Sequence, residues 1–181
     1  MNKDGVLRLS TVLFVSLCMP ASVSAHTRPV RLCIALPAGG AAFAQIGQEE
    51  LTISLIAKQK AAVFVVPVKL KEASSAAEAF DEARQRQCEY AVLTDISLKE
   101  LATWSRPLKE IGPFVDAPYF RLQMEYKVYR VDDLQIIGSG SVVSDGLNYI
   151  QDVVSVATDH LSPRILRDVN RAGVNASKQR P

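Results

Sequence analysis

The sequence predicts one mixed α/β domain in the order β-α-β-α-β-β-β-α: three parallel strands, an antiparallel hairpin and helices packed on the sheet. Three observations lead there. Short apolar runs rich in Val and Ile alternate with segments of helical period in the first half of the chain. Apolar and polar residues then alternate strictly from Phe120 to Val128, as in a strand with one wet face. Finally, Leu147, Ile150, Val154, Ala157 and Leu161 fall on one face of a helix.

The elements follow in order. Val30 to Leu36 is a buried strand that stops at the turn Pro37-Ala-Gly39-Gly40. From Ala42 to Lys60 a helix is expected, with Phe43, Ile46, Ile53 and Ile56 on its apolar stripe and Leu51 and Leu55 widening it. Val63 to Val68 is a second strand, and Pro67 marks its end or an edge position. Ser75-Ala-Ala-Glu78 is a capping box that opens a second helix, with Ala76, Phe80, Ala83 and Gln87 on one side. Tyr90 to Ile96 is the third strand, and the β-α-β-α-β order makes these three strands parallel. Phe120 to Val128 and Leu134 to Val143 form the hairpin around Asp132-Asp133, with Ile136 and Val142 on one face and Gly138 and Gly140 marking a bulge or close approach. A last helix follows Ser144-Asp-Gly146, and Ser162-Pro163 is a place where it can restart.

The first 25 residues read as an export leader. Lys3 and Arg8 precede an apolar run from Leu9 to Met19, Pro20 breaks it, and Val23-Ser24-Ala25 supplies the small residues a signal peptidase reads. The run is too short to span a bilayer, which needs ~20 apolar residues. A periplasmic or secreted chain starting near His26 is therefore expected, with residues 26–171 as one domain and 172–181 as a disordered tail. A lipid-anchored reading at Cys18 is weaker, because Leu17 stands where a small residue is required. Losing Lys3, Asp4 and Arg8 takes the formal charge from +2 to +1, and the remaining basic residues are scattered among acidic ones. That distribution argues against a nucleic-acid partner, which needs a clustered basic face.

The mature chain keeps two histidines, His26 at its start and His160 on the last helix, and neither stands in a nucleophile signature. Pro37-Ala-Gly39-Gly40 sits at a strand–helix junction but lacks the spacing of a phosphate loop. Asp95 stands alone at the end of a parallel strand, Asp132 and Asp133 are turn residues, and two mature cysteines give no zinc spacing. No catalytic, cofactor or metal site is expected. Cys33 and Cys88 would lie on or beside neighbouring strands, either as a disulfide permitted by an oxidising compartment or as two separately buried thiols.

The segment from Ser97 to Pro118 reads as a long connection, with Ser97-Leu-Lys-Glu100 starting a short helix. It carries Leu101, the lone tryptophan Trp104, Leu108, Ile111 and Phe114 between Pro107, Pro113 and Pro118. Long connections in compact domains are often functional. Leu101, Trp104, Ile111 and Phe114 thus either anchor a partner or fold back as core cover.

The strands Arg31-Leu-Cys-Ile-Ala-Leu36 and Gln87-Cys-Glu-Tyr-Ala-Val-Leu93, with the hairpin Glu125-Tyr-Lys-Val-Tyr-Arg-Val-Asp-Asp133, resemble a group of bacterial envelope domains. These are the TolB amino-terminal domain, the periplasmic domain of the curli-secretion channel family, and related transport-auxiliary and penicillin-binding-protein-activator lipoproteins. A set of secreted bacterial proteins with a Lys-Gln-Cys-Asp-Tyr-Val-Leu run is more similar still. The resemblance covers most of residues 30–170 and implies scaffolding or binding of an envelope protein or peptidoglycan-associated partner, not a shared reaction. Two alternatives stand beside it: a ligand binder or enzyme at the carboxyl ends of the parallel strands near Gly39, Gly40 and Asp95, and a self-associating structural subunit.

Overall fold

The computed structural model describes residues 29–38, 41–59, 64–71, 75–106, 115–147 and 149–178. The expected leader, His26, Gly39, Gly40, Pro107, Leu108, Ile111, Pro113 and Phe114 lie outside these residues. The elements are β1 (Val30–Ile34), α1 (Ala41–Ala57), β2 (Val65–Lys69), α2 (Ala76–Gln85), β3 (Tyr90–Arg106), β4 (Val115–Arg130), β5 (Ile136–Leu147) and α3 (Ile150–Lys178). They build a five-stranded mixed sheet in the order β2-β1-β3-β4-β5. β1 is parallel to both β2 and β3, while β3–β4 and β4–β5 are antiparallel.

Period two along the strands assigns the side chains to two different cores. On the inner face Leu32, Ile34, Val92, Ile96, Leu122, Met124 and Val128 pack against Leu51 and Leu55 of α1 and Val154, Ala157, Leu161 and Ile165 of α3. Each Leu or Ile fully buried there stabilises the fold by roughly 1.5–3 kcal/mol. On the outer face Cys33, Ala35 and Ala91 meet Ala79 and Ala83 of α2, with Leu70 and Val131 at the margin. Helix α2 begins where its capping box says, with Ser75 as N-cap accepting from the Glu78 N–H (3.3 Å). It is short and presents alanines to β1 and β3, with Phe80 edge-on to Tyr129 of β4 (4.9 Å), so it covers only the starting end of β3 and its neighbours on this face. The outer rows of β3, β4 and β5 (Asp95, Ser97 and Lys99; Arg121, Gln123, Glu125 and Lys127; Ser139, Ser141, Val143 and Asp145) stay exposed.

Several expectations are corrected. The stripe of α1 is Ala44, Gly47, Gln48, Leu51 and Leu55; Ile53 and Ile56 face solvent at 60% and 57% exposure. The reason is Gln48, whose amide is drawn inward to strand-end carbonyls, with Gly47 beside it. A Cβ on Gly47 would stand 2.7 Å from Ile96 Cδ1, so only glycine lets helix and sheet approach this closely. In β5 a register shift opposite Val128 and Tyr129 turns Ile136 outward at 50% exposure and puts Ile137 against the core. Helix α3 passes through Pro163 without restarting and continues to Lys178, into the segment expected to fray. Its packing on β4 and β5 outweighs the hydrogen bond that Pro163 removes.

The segment expected to be a loop with a short helix is instead mostly strand. β3 runs on from Ile96 to Arg106 and β4 starts at Val115, and their antiparallel register continues to Arg106↔Val115. Alternation simply persists past Ile96, with Ser97 and Lys99 exposed and Leu98 partly buried against the inner core. Of the three prolines expected to mark a loop, Pro118 does not stop pairing: it sits within β4 opposite Thr103.

Cys33 and Cys88 are joined as a disulfide, with Cα atoms 5.8 Å apart, inside the ~7 Å limit for such a bond. Cys33 is fully buried and Cys88 nearly so. The bridge ties β1 to the turn that delivers β3. With a sequence separation of 55, the chain-entropy argument gives it about 4 kcal/mol. Accordingly, the protein prepared under oxidising conditions should show Cys33 and Cys88 without free thiols in non-reducing mass spectrometry. Replacing both cysteines by alanine should lower the denaturant-unfolding free energy by about that amount.

Candidate functional site

The continued β3–β4 pairing lengthens the sheet on one side. β5 accompanies β4 only as far as Tyr119↔Leu147, and β1 meets β3 only at residues 90–92, with one further bridge at Ala38↔Asp95. Beyond these limits, residues 102–106 and 115–118 form a two-stranded ribbon with no third strand among the described residues. This ribbon is an arm of the sheet that runs on beyond the pairing limits of β1 and β5. At its root the register shifts between Glu100 and Ala102, leaving Leu101 as the extra residue of a bulge. Trp104 lies on the arm opposite Ala117. The structure therefore puts Leu101 and Trp104 on one strand segment, while Ile111 and Phe114 fall outside the described residues.

The carboxyl ends of the parallel strands form the second feature. The connection after β1 leads to α1 on the inner face, and that after β2 leads to α2 on the outer face. Adjacent parallel strands whose connections part in this way leave a crevice at their ends. Here it is an open cleft of about 810 Å³ whose lining includes Leu36, Gln48, Glu49, Lys69, Lys71 and Arg86. Gln48 closes its floor: Nε2 donates to the carbonyls of Ile34 (2.7 Å) and Leu70 (3.0 Å), locking the ends of β1 and β2 together. Lys69 pairs with Glu49 (3.4 Å) and Arg86 with Glu82 (2.8 Å). None of the lining side chains is a nucleophile beside a base. Asp95 lies elsewhere, exposed on the outer face opposite Glu125, its backbone bridged to Ala38. His160 is exposed on α3. Asp133 accepts hydrogen bonds from Arg130 Nη1 (3.0 Å) and the Gln135 N–H (3.1 Å), as a turn residue does.

Two polar contacts that sequence reasoning missed hold the body rigid beneath the arm. Tyr126 donates its hydroxyl to Asp168 Oδ2 (2.9 Å), joining β4 to α3. Burial and then this bond push its pKa up to about 12. The signal was Gly138-Ser-Gly140. A Cβ on Gly138 would collide with the Asp168 carboxylate, and one on Gly140 would stand 2.8 Å from Tyr126 Cε1. Between the helices, Ser54 donates to Asp159 Oδ1 (2.7 Å) and Lys58 sits 3.4 Å from Oδ2. The Ser54 bond holds the Asp159 carboxyl below the usual range. On the outer face Arg121 grips Asp145 with two bonds (2.9 and 3.1 Å), which lower the Asp145 pKa. Burial raises Tyr90. Each of these groups moves away from the neutral range that acid–base catalysis uses. Among the described residues no three His, Cys, Asp or Glu are grouped to hold a metal ion.

No family model matches the sequence, and no curated protein matches it significantly. Solved structures do. A single-residue variant of the PelC dodecamer from Paraburkholderia phytofirmans is 14% identical with a TM-score of 0.50, over 76% of this chain and 89% of that one. A DUF330 protein from Xanthomonas campestris is 8% identical with a TM-score of 0.47, over 84% and 91%. A lipoprotein from Neisseria meningitidis is 10% identical with a TM-score of 0.41, over 77% and 99%. At these identities the likeness is one of fold and transfers no residue's role.

The Tyr126–Asp168 bond makes a pH prediction. Because the folded pKa is raised above the unfolded value near 10, its contribution is complete below ~pH 10 and is lost as pH climbs towards about 12. Tyr126→Phe should cost about 1.5 kcal/mol at neutral pH in chemical denaturation, and should flatten that alkaline loss of stability.

Proposed function

We propose that this protein is an exported, non-enzymatic domain of the bacterial cell envelope that holds another envelope component through its projecting β3–β4 arm. The observation that carries the reading is the arm itself. A two-stranded ribbon is marginally stable alone, so a chain that extends one past its body gains little fold stability from it. The sequence between Ser97 and Pro118 also carries the large apolar residues Leu101, Trp104, Ile111 and Phe114. Trp and Phe commonly anchor interfaces.

Three further observations support the compartment. The Lys3-to-Ala25 segment has the composition of a cleaved leader. The Cys33–Cys88 bridge is stable where thiols are oxidised. Among the fold neighbours are proteins described as lipoproteins, from Neisseria meningitidis and Acinetobacter baumannii. The element order resembles the TolB and curli-secretion group, whose members act by contact. The cleft at the ends of β1 and β2 favours a second reading, a small-ligand site, but two of its three lining cations, Lys69 and Arg86, are paired with Glu49 and Glu82.

Crosslinking tests the proposal. A photoreactive residue at position 104, in intact cells, should capture a defined envelope component, while the same residue at exposed Asp81 on α2 should not. Trp104→Ala should stay within about 0.5 kcal/mol of the parent stability, as surface substitutions do, and should lose its captured partner. Unfolding of that variant, or undiminished capture from an arm trimmed between Leu101 and Pro118, would overturn the reading.

A further inference from the structure

The two edges of the sheet are built differently. β2 is five residues long, carries Pro67 in its middle and ends on Lys69. Brevity, proline and an edge lysine are the usual devices that stop a sheet from recruiting another strand. β5, the other edge, has none of them. It is twelve residues long, and from Gly138 to Leu147 its ladder on β4 runs in unbroken register. Its sequence there is Gly-Ser-Gly-Ser-Val-Val-Ser-Asp-Gly-Leu, with no proline or lysine and a single charge. That charge, Asp145, is neutralised within the chain by the two bonds from Arg121 (2.9 and 3.1 Å).

We infer that the β5 edge is an interaction surface for a second copy of this chain, paired antiparallel about a two-fold axis so that two sheets join into one. This surface is distinct from the arm and does not depend on the arm's role. Three properties select a copy of the same chain as occupant. An antiparallel two-fold seam sets the edge against its own sequence, and here no unneutralised charge meets its like. The small side chains Gly138, Ser139, Gly140 and Ser141 let two backbones approach without steric conflict on either face. The seam also closes: with β2 blocked at the far edge, pairing ends at two chains instead of growing into a fibre. Val143 contributes an apolar contact, being 57% exposed on the outer row of this strand. One bond on the strand, from Arg164 Nη1 on α3 to the Ser141 carbonyl (2.9 Å), is exposed and is exchangeable for an incoming N–H.

Sedimentation equilibrium and light scattering on the exported full-length product test the inference. The parent protein should have the mass of two chains. Val143→Lys, which puts a charge at an exposed edge position, should halve that mass while circular dichroism and thermal midpoint stay unchanged. Ser141→Lys should do the same, whereas Val156→Lys on the exposed side of α3 should leave the dimer intact. A monomeric parent at its highest soluble concentration would overturn the inference. So would an assembly larger than two chains, or a dimer that persists with lysine at both 141 and 143.

Discussion

The structure depends on β3 being paired on both sides, parallel to β1 and antiparallel to β4. At its start β3 is buried on both faces: Tyr90 and Val92 reach the inner core, Ala91 the outer one with Cys33. From Asp95 to Lys99 only the inner row remains covered, and past Glu100 the strand pairs with β4 alone among the described residues. One strand therefore passes from parallel core to half-wet sheet to a two-stranded ribbon. That progression decides where the molecule is rigid and where it is available.

Hydrophobic burial outweighs electrostatics in holding this arrangement. The inner core places Leu32, Ile34, Leu51, Leu55, Leu122, Leu161 and Ile165 wholly out of water, at roughly 1.5–3 kcal/mol each. Ion pairs such as Lys69–Glu49 and Arg84–Asp81 lie on the surface, where such pairs contribute about 0–1 kcal/mol. Polar groups matter where they are buried and few. Gln48 satisfies the Ile34 and Leu70 carbonyls and so fixes the ends of two strands, and Tyr126 with Asp168 fixes α3 over β4. The rigid body thus carries the arm, and the covered face leaves the outer face polar and solvated.

Much of this was legible in the sequence because the signals were local. The capping box at Ser75, the alternation from Phe120 to Val128 and the stripe from Leu147 to Leu161 each dictate an element through nearest-neighbour geometry. The errors came where a distant contact overrode a local pattern. Ile53 and Ile56 look like core residues on a helical wheel, but the pull of strand-end carbonyls on Gln48 turns α1 so that they face water. Prolines at 107, 113 and 118 look like loop punctuation, yet the β3–β4 ladder absorbs Pro118. Pro163 looks like a break, yet packing carries α3 through it. Leu101 and Trp104 were singled out by residue type; that they stand on a strand reaching beyond its neighbours is a property of register, which no local pattern encodes.

The central claim is that the distal β3–β4 ribbon is a contact element and not part of the packed body. Native-state hydrogen exchange on the isolated protein tests it most directly. Amides of residues 102–106 and 115–117 should exchange by local opening at a free energy well below that of Val92, Met124 and Val128, which should approach the global unfolding limit. Protection of the ribbon equal to that of those core amides would contradict the account, because it would show the arm to be buried within the fold.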